Sequence, residues 1–168
     1  MRKLPRYGRC FICGNKNECG TGMTWVQTAD GVQGSYRCSE RHCGFEGVVH
    51  GGVLSGLLDE CVGWAAALRN RTLCVTGELT VRYLRPVPVG CEVLIKGKCS
   101  DNVAEGKKYL PGVGEIVDSD GSVYATCEAK FFPMQQKLEA AFIEKLELQE
   151  APPGQSLADY LWRGLAEK

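Results

Sequence analysis

The segment 52–68 constrains the fold more than any other part of the chain, because it is apolar on nearly every side. Its apolar positions follow helical spacing. They are Val53, Leu54, Leu57, Leu58, Cys61, Val62, Trp64, Ala65, Ala66 and Leu68. A helix that is apolar nearly all round is buried by the rest of its domain. The sequence therefore predicts one long helix, about residues 52–68, at the centre of the fold.

The segments around this helix alternate between apolar and polar residues, as half-buried β-strands do. The predicted strands are residues 23–27, 32–37, 75–84, 91–99, 107–117 and 122–132. Stretches that contain Asp-Gly, at 28–31 and 118–121, predict tight turns within the first and last pairs. We expect an α+β fold in which an antiparallel sheet wraps around one long central helix.

A length of 168 residues suits one domain with a tail. Residues 1–20 are rich in Gly, Asn and Cys and show no period, which predicts a Cys-rich N-terminal loop within a domain of residues 1–133. Past Pro133 the spacing of Leu138, Ala141, Phe142 and Leu146 is helical, which predicts a helical tail over 134–168.

The charge balance and the absence of a long apolar run argue against nucleic acid and membranes as partners. The chain has 20 basic and 20 acidic residues, so no bulk field favours nucleic acid or an anionic membrane. The basic N-terminus is not followed by an apolar segment of a secretory signal, and no apolar run approaches the ~20 residues of a membrane span. We expect a soluble, cytoplasmic protein that binds neither nucleic acid nor membrane.

Ten cysteines are a high count for such a protein. Without a secretory signal, reduced thiols or metal ligands are the two interpretations. Cys10 and Cys13 have C-x-x-C spacing, and Cys38 and Cys43, with His42, supply the other half of an incomplete zinc pattern. Five further cysteines, Cys61, Cys74, Cys91, Cys99 and Cys127, are interpreted as small core residues. Since C-x-x-C alone is a weak pattern, we expect no metal.

One stripe of the central helix carries small residues and an acid. Gly52, Gly56, Asp59 and Gly63 recur at helical spacing, with Ser55 beside them. Such a stripe admits either a ligand or a closely packed neighbour. Glu60 is rotated by about 100° away from Asp59. A buried carboxylate must be paired, for example with an arginine, or belong to a site. Asp59 is the favoured functional acid.

The start of the helix supplies a second element of a site. Unpaired backbone N–H groups at a helix start stabilise anions and developing oxyanions. Gly51 and Gly52 allow a carbonyl to approach these groups. A donor at the helix start and a carboxylate two turns later suggest acyl-group chemistry. His50 is either a general base or, as is more common at this position, a hydrogen-bonded structural group.

Four segments resemble the hotdog-fold acyl-CoA thioesterases, and in particular the phenylacetate-pathway type. They are GVVHGGVLSGLLDE at 47–60, VTGELTVRYLRPVPVG at 75–90, DSDGSVYATCEAKF at 118–131 and CFICGNKNECGTGM at 10–23. The resemblance implies a hotdog fold, an acyl-CoA substrate and no cofactor. It assigns the polarising N–H to Gly51 and the catalytic acid to Asp59. Glu60, the neighbouring acid on the helix, is the alternative catalytic acid.

The resemblance also implies a homodimer or a dimer of dimers, in which the glycine end comes from one chain and the acid from another. Gly52 and Ser55 are candidate substrate contacts. By charge and position, Arg82, Arg85, Lys107 and Lys108 are candidate contacts for the CoA phosphates.

Three other functions are considered. One is a hotdog protein that binds acyl-CoA without hydrolysing it. The second is a dehydratase or hydratase, which typically pairs an acid with a histidine on the helix, but no histidine follows His50. The third is a zinc-dependent interaction module at the N-terminus. Thioester hydrolysis is the function that the sequence favours.

Overall fold

A computed structural model describes residues 1–99, 108–148 and 154–162. The helices are α1 (Gly51–Asn70), α2 (Gln136–Ile143), α3 (Leu157–Trp162) and a 3-10 turn (Glu40–His42). The strands are β1 (Arg2–Lys3), β2 (Arg6–Tyr7), β3 (Val26–Gln27), β4 (Val32–Arg37), β5 (Cys43–Phe45), β6 (Val48–Val49), β7 (Cys74–Tyr83), β8 (Glu92–Cys99), β9 (Leu110–Val117), β10 (Val123–Pro133) and β11 (Leu146–Glu147).

The main sheet has seven strands in the order β1-β3-β4-β8-β9-β10-β7, and each neighbouring pair is antiparallel. Helix α1 packs against five of them, β4, β7, β8, β9 and β10. The predicted antiparallel sheet around one long helix is confirmed. None of the helices in the described part of the chain is long and apolar enough to cross a membrane.

Glycines in the sheet bring it close to α1. A Cβ added at Gly97 in β8 would lie 2.9 Å from the Cys61 carbonyl carbon and the Val62 nitrogen. These are helix backbone atoms, which cannot move aside as a side chain can. The apolar side of the helix is fully buried at Leu57, Leu58 and Val62. This contact fixes the position of α1 on the sheet.

The N-terminal segment and the tail form more structure than the sequence predicted. Residues 1–20 contain β1 and β2, and β2 pairs with β11 of the tail. The helical interpretation of Leu146 is therefore wrong. The Arg2 guanidinium donates to the carbonyls of Tyr160 and Leu161, and Leu161 is fully buried. Strand β11 and helix α3 of the tail thus contact the start of the chain, while a domain boundary at residue 133 stays a prediction.

The first predicted hairpin is real, but its first strand is short. Within 23–27 only Val26–Gln27 is a strand, because the Met23 N–H donates to the carbonyl of Ile12 at 2.8 Å. The N-terminal loop is thereby attached beside the sheet and next to α1. This attachment places Cys10 and Cys13 near the middle of the helix.

Candidate functional site

His50 caps the start of α1. Its Nδ1 accepts a hydrogen bond from the Gly52 N–H at 2.8 Å, and its own backbone N–H donates to the carbonyl of His42 at 2.8 Å. Because Nδ1 accepts this bond, that ring nitrogen carries no proton. His50 therefore lies in the structural position that the sequence favoured. Its role as a general base stays a prediction.

The Gly51 N–H is the first helical N–H group and has no acceptor among residues 1–99, 108–148 and 154–162. The Gly52 N–H, by contrast, is engaged by His50. A free N–H at a helix start stabilises an anion or a developing oxyanion. Of the two predicted glycines, Gly51 is thus the one that offers a donor.

Tyr83, at the end of β7, lies over the first turn of α1 and was missed by the sequence reasoning. Its hydroxyl donates to the Gly51 carbonyl at 2.9 Å and lies 2.5 Å from the Ser55 hydroxyl. The side chain is 49% exposed. The alternation of β7 places Tyr83 on the face that looks toward the helix, and this signal was present in the sequence. Tyr83 and Ser55 together form one wall beside the free Gly51 N–H.

Asp59 lies two turns further along α1 and is half-buried. Its Oδ1 accepts a hydrogen bond from the Thr76 hydroxyl at 2.7 Å. Burial raises the pKa of Asp59, and the Thr76 bond opposes this rise. No other hydrogen-bond partner and no cation contacts Asp59 in the part of the chain that the structure describes. The carboxylate is thus held by one bond and keeps a free oxygen.

Two glycines of the predicted stripe serve close packing. A Cβ added at Gly56 would lie 2.8 Å from Cδ1 of Ile12, and one at Gly63 would lie 3.2 Å from the ring of Phe131. Ile12 and Phe131 therefore occupy the stripe on either side of Asp59. Of the two uses of glycine that the sequence allowed, packing explains Gly56 and Gly63.

Glu60 has a different environment from Asp59. Its Oε1 accepts from the Trp25 indole N–H at 3.0 Å, and its Oε2 lies 3.1 Å from the Cys10 sulfur, in a hydrogen bond that shares one proton. Burial raises the pKa of Glu60 to about 8. Both carboxyl oxygens are already engaged, so Glu60 is less able than Asp59 to activate a water molecule.

A cleft of about 470 Å³ separates α1 from the N-terminal loop and the start of β7. Asp59 and Glu60 both line it, and its other walls are mostly apolar. These walls include Ile12, Trp64, Leu73, Phe131, Met134 and Phe142. A smaller cleft of about 250 Å³ contains Gly51, Tyr83 and Arg85. Each predicted functional group thus has space beside it, but in separate clefts.

The basic residues predicted to contact the CoA phosphates lie in different places on the chain. Arg82 points to the outer face of the sheet, whereas Arg85 lies near Gly51. The Arg85 guanidinium pairs with Asp118 at 3.2 Å and covers the ring of Tyr124. Lys108 is exposed just before β9. Lys107 lies outside the described residues. A role for these cations in binding CoA stays a prediction.

The predicted set of four zinc ligands does not assemble. The Cys38 sulfur lies 3.6 Å from that of Cys91, and Cys43 is exposed. His42 is engaged by the Tyr36 hydroxyl, 2.7 Å from its Nδ1. Among the described residues, Cys10 and Cys13 instead come together with Glu60. Cys61 and Cys127 are core residues as expected, whereas Cys74, Cys91 and Cys99 are only partly buried.

The two groups predicted to act on one carbonyl are far apart along the same helix. Gly51 and Asp59 are eight residues apart, and an α-helix rises about 1.5 Å per residue, so they are separated by about 12 Å along the axis. A thioester carbonyl and its attacking group must lie within about 3–3.5 Å. Gly51 and Asp59 of one chain therefore cannot act on the same carbonyl.

Residues 46–102 match the family model "Thioesterase superfamily". The matched segment contains α1, β7 and β8, and with them His50, Gly51, Asp59 and Glu60. The fold described above is the hotdog fold, and residues 46–102 are similar to the thioesterase superfamily. A search of curated proteins found no match.

Solved structures agree with this hotdog domain. A thioesterase superfamily protein is 28% identical, with a TM-score of 0.66, over 73% of this chain and 62% of that one. A hypothetical thioesterase from Streptococcus pneumoniae, solved with coenzyme A, is 23% identical, with a TM-score of 0.57, over 67% and 88%.

The PaaI protein of the Escherichia coli phenylacetic acid degradation operon is 19% identical to this chain, with a TM-score of 0.58, over 67% of this chain and 83% of that one. At such identities, the similarities to the Streptococcus pneumoniae and Escherichia coli structures show the hotdog fold alone. The chain spans less than two thirds of the length of the first relative.

Proposed function

We propose that this protein is an acyl-CoA thioesterase, which hydrolyses an acyl-CoA thioester to the free acid and CoA. The observation that carries the proposal is the pair of groups on α1. The Gly51 N–H has no acceptor in the described part of the chain, and the Asp59 carboxylate keeps a free oxygen at a cleft. The thioesterase superfamily match and the coenzyme A bound by a structural neighbour support the ligand class.

The chemistry needs one donor and one base. The Gly51 N–H donates to the thioester carbonyl oxygen and stabilises the negative charge that develops there. Asp59 takes a proton from water while the water oxygen bonds to the carbonyl carbon. The carbon–sulfur bond then breaks, and the CoA sulfur leaves with the electron pair and is protonated. A thiol has a pKa near ~8.5, so its thiolate leaves without strong acid assistance.

A second route uses the same two residues. Asp59 attacks the carbonyl carbon directly and expels the CoA thiolate, which leaves a mixed anhydride for water to hydrolyse. Isotope labelling separates the routes. In a single turnover in ¹⁸O-water, direct attack of water on the thioester puts the label only in the product acid. Attack of water on the Asp59 carbonyl of the anhydride instead leaves the label in the Asp59 carboxylate.

A second copy of the chain completes the site. Because Gly51 and Asp59 of one chain are separated by about 12 Å, the base must come from another chain. Strand β7 supports such pairing. It forms the edge of the main sheet in the described chain, and it exposes Val75 and Tyr83, each at 49%. An exposed edge with apolar side chains is a template for pairing with another strand. We infer an isologous dimer that brings two such faces together.

Asp59→Asn tests the proposal. The substitution keeps the size of the side chain but removes the base, so turnover of acyl-CoA should be lost while binding of a non-hydrolysable analogue persists. Asp120→Asn, at an exposed turn, is the matched control and should retain full turnover. Glu60→Gln tests the alternative acid. Turnover that survives both Asp59→Asn and Glu60→Gln would overturn the proposed site.

The acyl group is best found by measuring hydrolysis of short, long and aromatic acyl-CoAs with the unmodified protein. The apolar lining of the cleft that contains Asp59 favours an apolar acyl chain. Tight binding of acyl-CoA with no turnover of any class would instead support the second function, an acyl-CoA-binding protein without hydrolytic activity.

A further inference from the structure

Three side chains that can bind a metal meet beside the cleft. They are Cys10 and Cys13 of the N-terminal loop and Glu60 of α1. Their ligand atoms all lie within 4.8 Å of one another, and the Cys10 sulfur lies 3.1 Å from Glu60 Oε2. Cys10 and Glu60 are 50 positions apart in sequence, so the fold and not the local motif brings Glu60 to the two cysteines. Thioester hydrolysis as proposed above uses none of the three.

The backbone of the loop is arranged for a thiolate at Cys10. The N–H groups of Ile12 and Cys13 both donate to the Cys10 sulfur, at 3.3 and 3.4 Å. Converging backbone N–H groups form a concavity that favours an anion. Gly14 closes this turn, since a Cβ there would lie 2.3 Å from the Cys10 carbonyl oxygen.

Glu60 is also prepared for a cation. The Trp25 indole N–H holds Oε1 and thereby orients the carboxyl group toward the two sulfurs. A hydrogen bond from an outer residue typically fixes a metal ligand in this way. No Lys, Arg or His side chain pairs with Glu60 within the described ranges. A buried carboxylate without a cation carries a desolvation cost that a bound metal removes.

We propose that Cys10, Cys13 and Glu60 form a binding site for Zn²⁺ or another thiolate-preferring divalent ion. Zinc binds thiolates at about 2.3 Å and carboxylates at about 2.0–2.2 Å, so tetrahedral ligands lie roughly 3.4–3.8 Å apart. Separations of up to 4.8 Å reach this geometry by a contraction of at most about 1.4 Å, and the 3.1 Å between Cys10 Sγ and Glu60 Oε2 reaches it by a small lengthening. On binding the metal, the Cys10 and Cys13 thiols release their protons to the solvent and become the thiolate ligands.

The fourth coordination position faces the cleft, because all three ligands line it. An ion with three protein ligands keeps an open position for water or another small ligand. The metal also fastens the N-terminal loop to the middle of α1, one residue from Asp59. It assigns Glu60 the role of a ligand and leaves Asp59 as the only free carboxylate on this part of the helix.

Metal analysis of the full chain, purified with a reductant and without chelator, tests the site. We expect one Zn²⁺ per chain by elemental analysis. After removal of zinc, Co²⁺ should restore the same stoichiometry and give a thiolate-to-cobalt charge-transfer band in the near ultraviolet. These measurements do not depend on hydrolysis, so they can fail while the proposed thioesterase stands, and the reverse is also true.

Three variants remove one ligand each. Cys10→Ser, Cys13→Ser and Glu60→Gln should each lower the retained zinc at least tenfold. Glu60→Gln should also keep the charge-transfer band at a weaker affinity, since both thiolates remain. The matched control is Cys38→Ser, which removes one sulfur of the other close cysteine pair. It should leave the zinc content unchanged. Circular dichroism checks that each variant folds.

A graded variant tests the orientation of Glu60. Trp25→Phe removes the indole N–H but keeps an aromatic ring, and losing such an outer partner costs about 10–100-fold in metal affinity. Absence of zinc and of the cobalt band in the folded, fully reduced protein overturns the proposal. So does an equal loss of zinc in Cys38→Ser. Isolation of a Cys10–Cys13 disulfide that resists reductant, with no metal bound, would also overturn it.

Discussion

Replacing Gly51 by proline removes the N–H that the proposed mechanism uses and changes little else. Gly51 is the first residue of α1, where proline is common because that N–H has no helical acceptor. The residue before a proline must be extended, and His50 has φ −63° and ψ 132°. The new Cβ would lie 3.4 Å from the Tyr83 ring, which is ordinary contact. The helix should therefore form as before.

The expected loss follows from the role of the N–H. Removing one donor to a developing oxyanion lowers kcat by about 10²–10³, which is about 2.7–4 kcal/mol. The folded state should lose no stability, because glycine to proline at a compatible position typically adds about 0.4–1 kcal/mol. For a chain of 168 residues this is an increase in Tm of roughly 1–4 °C. A large kinetic loss and an unchanged or raised Tm should occur together.

The assay compares steady-state hydrolysis of the preferred acyl-CoA by the unmodified protein, Gly51→Pro and Gly51→Ala. The alanine variant adds a Cβ and keeps the N–H, so it separates loss of space from loss of the donor. We expect Gly51→Ala to retain most of its kcat. If Gly51→Pro folds with its Tm preserved and hydrolyses at the unmodified rate, the Gly51 N–H does not polarise the carbonyl.

Substitutions at three further positions test other parts of the structure. His50→Asn keeps a capping acceptor at the start of α1 and should retain turnover, whereas the variant would be inactive if His50 were the general base. His50→Ala removes the cap and should lower the free energy of unfolding by about 1 kcal/mol in urea titrations. Tyr83→Phe removes the bonds to the Gly51 carbonyl and Ser55 and should cost about 0.5–1.5 kcal/mol by the same measurement. Gly97→Ala places a Cβ 2.9 Å from the backbone of α1 and should lower the free energy of unfolding by about 1–3 kcal/mol or more. An unchanged Tm would contradict the close contact of β8 with α1.

The sequence predicted the parts of the fold that repeat with a period. Helix α1 was predicted over 52–68 and spans Gly51–Asn70, because its apolar positions alone define a buried helix. Strand β7 was predicted over 75–84 and spans Cys74–Tyr83. The same alternation places Tyr83 toward the helix. The periodicity of these elements lies within their own residues, so they can be predicted without knowing which distant segments they contact.

Other features depend on contacts between distant segments. Cys10 lies 50 residues from Glu60, and no local pattern links them. The sequence grouped Cys10 with Cys38 and Cys43 by motif, but the fold places it against α1. Leu146 has helical spacing yet forms a strand, because its partner is Tyr7 at the other end of the chain. Pairings of this kind follow from the assembled fold and not from a local period.

The central claim is that each site takes Gly51 from one chain and Asp59 from another. Co-expression of Gly51→Pro with Asp59→Asn tests it most directly, because each variant alone should be nearly inactive. With random pairing, half of the dimers are mixed and each mixed dimer has one intact site, so activity should return to about one quarter of the unmodified level. If the purified mixed dimers are as inactive as the two parents, the two groups do not act across chains and the proposed site is wrong.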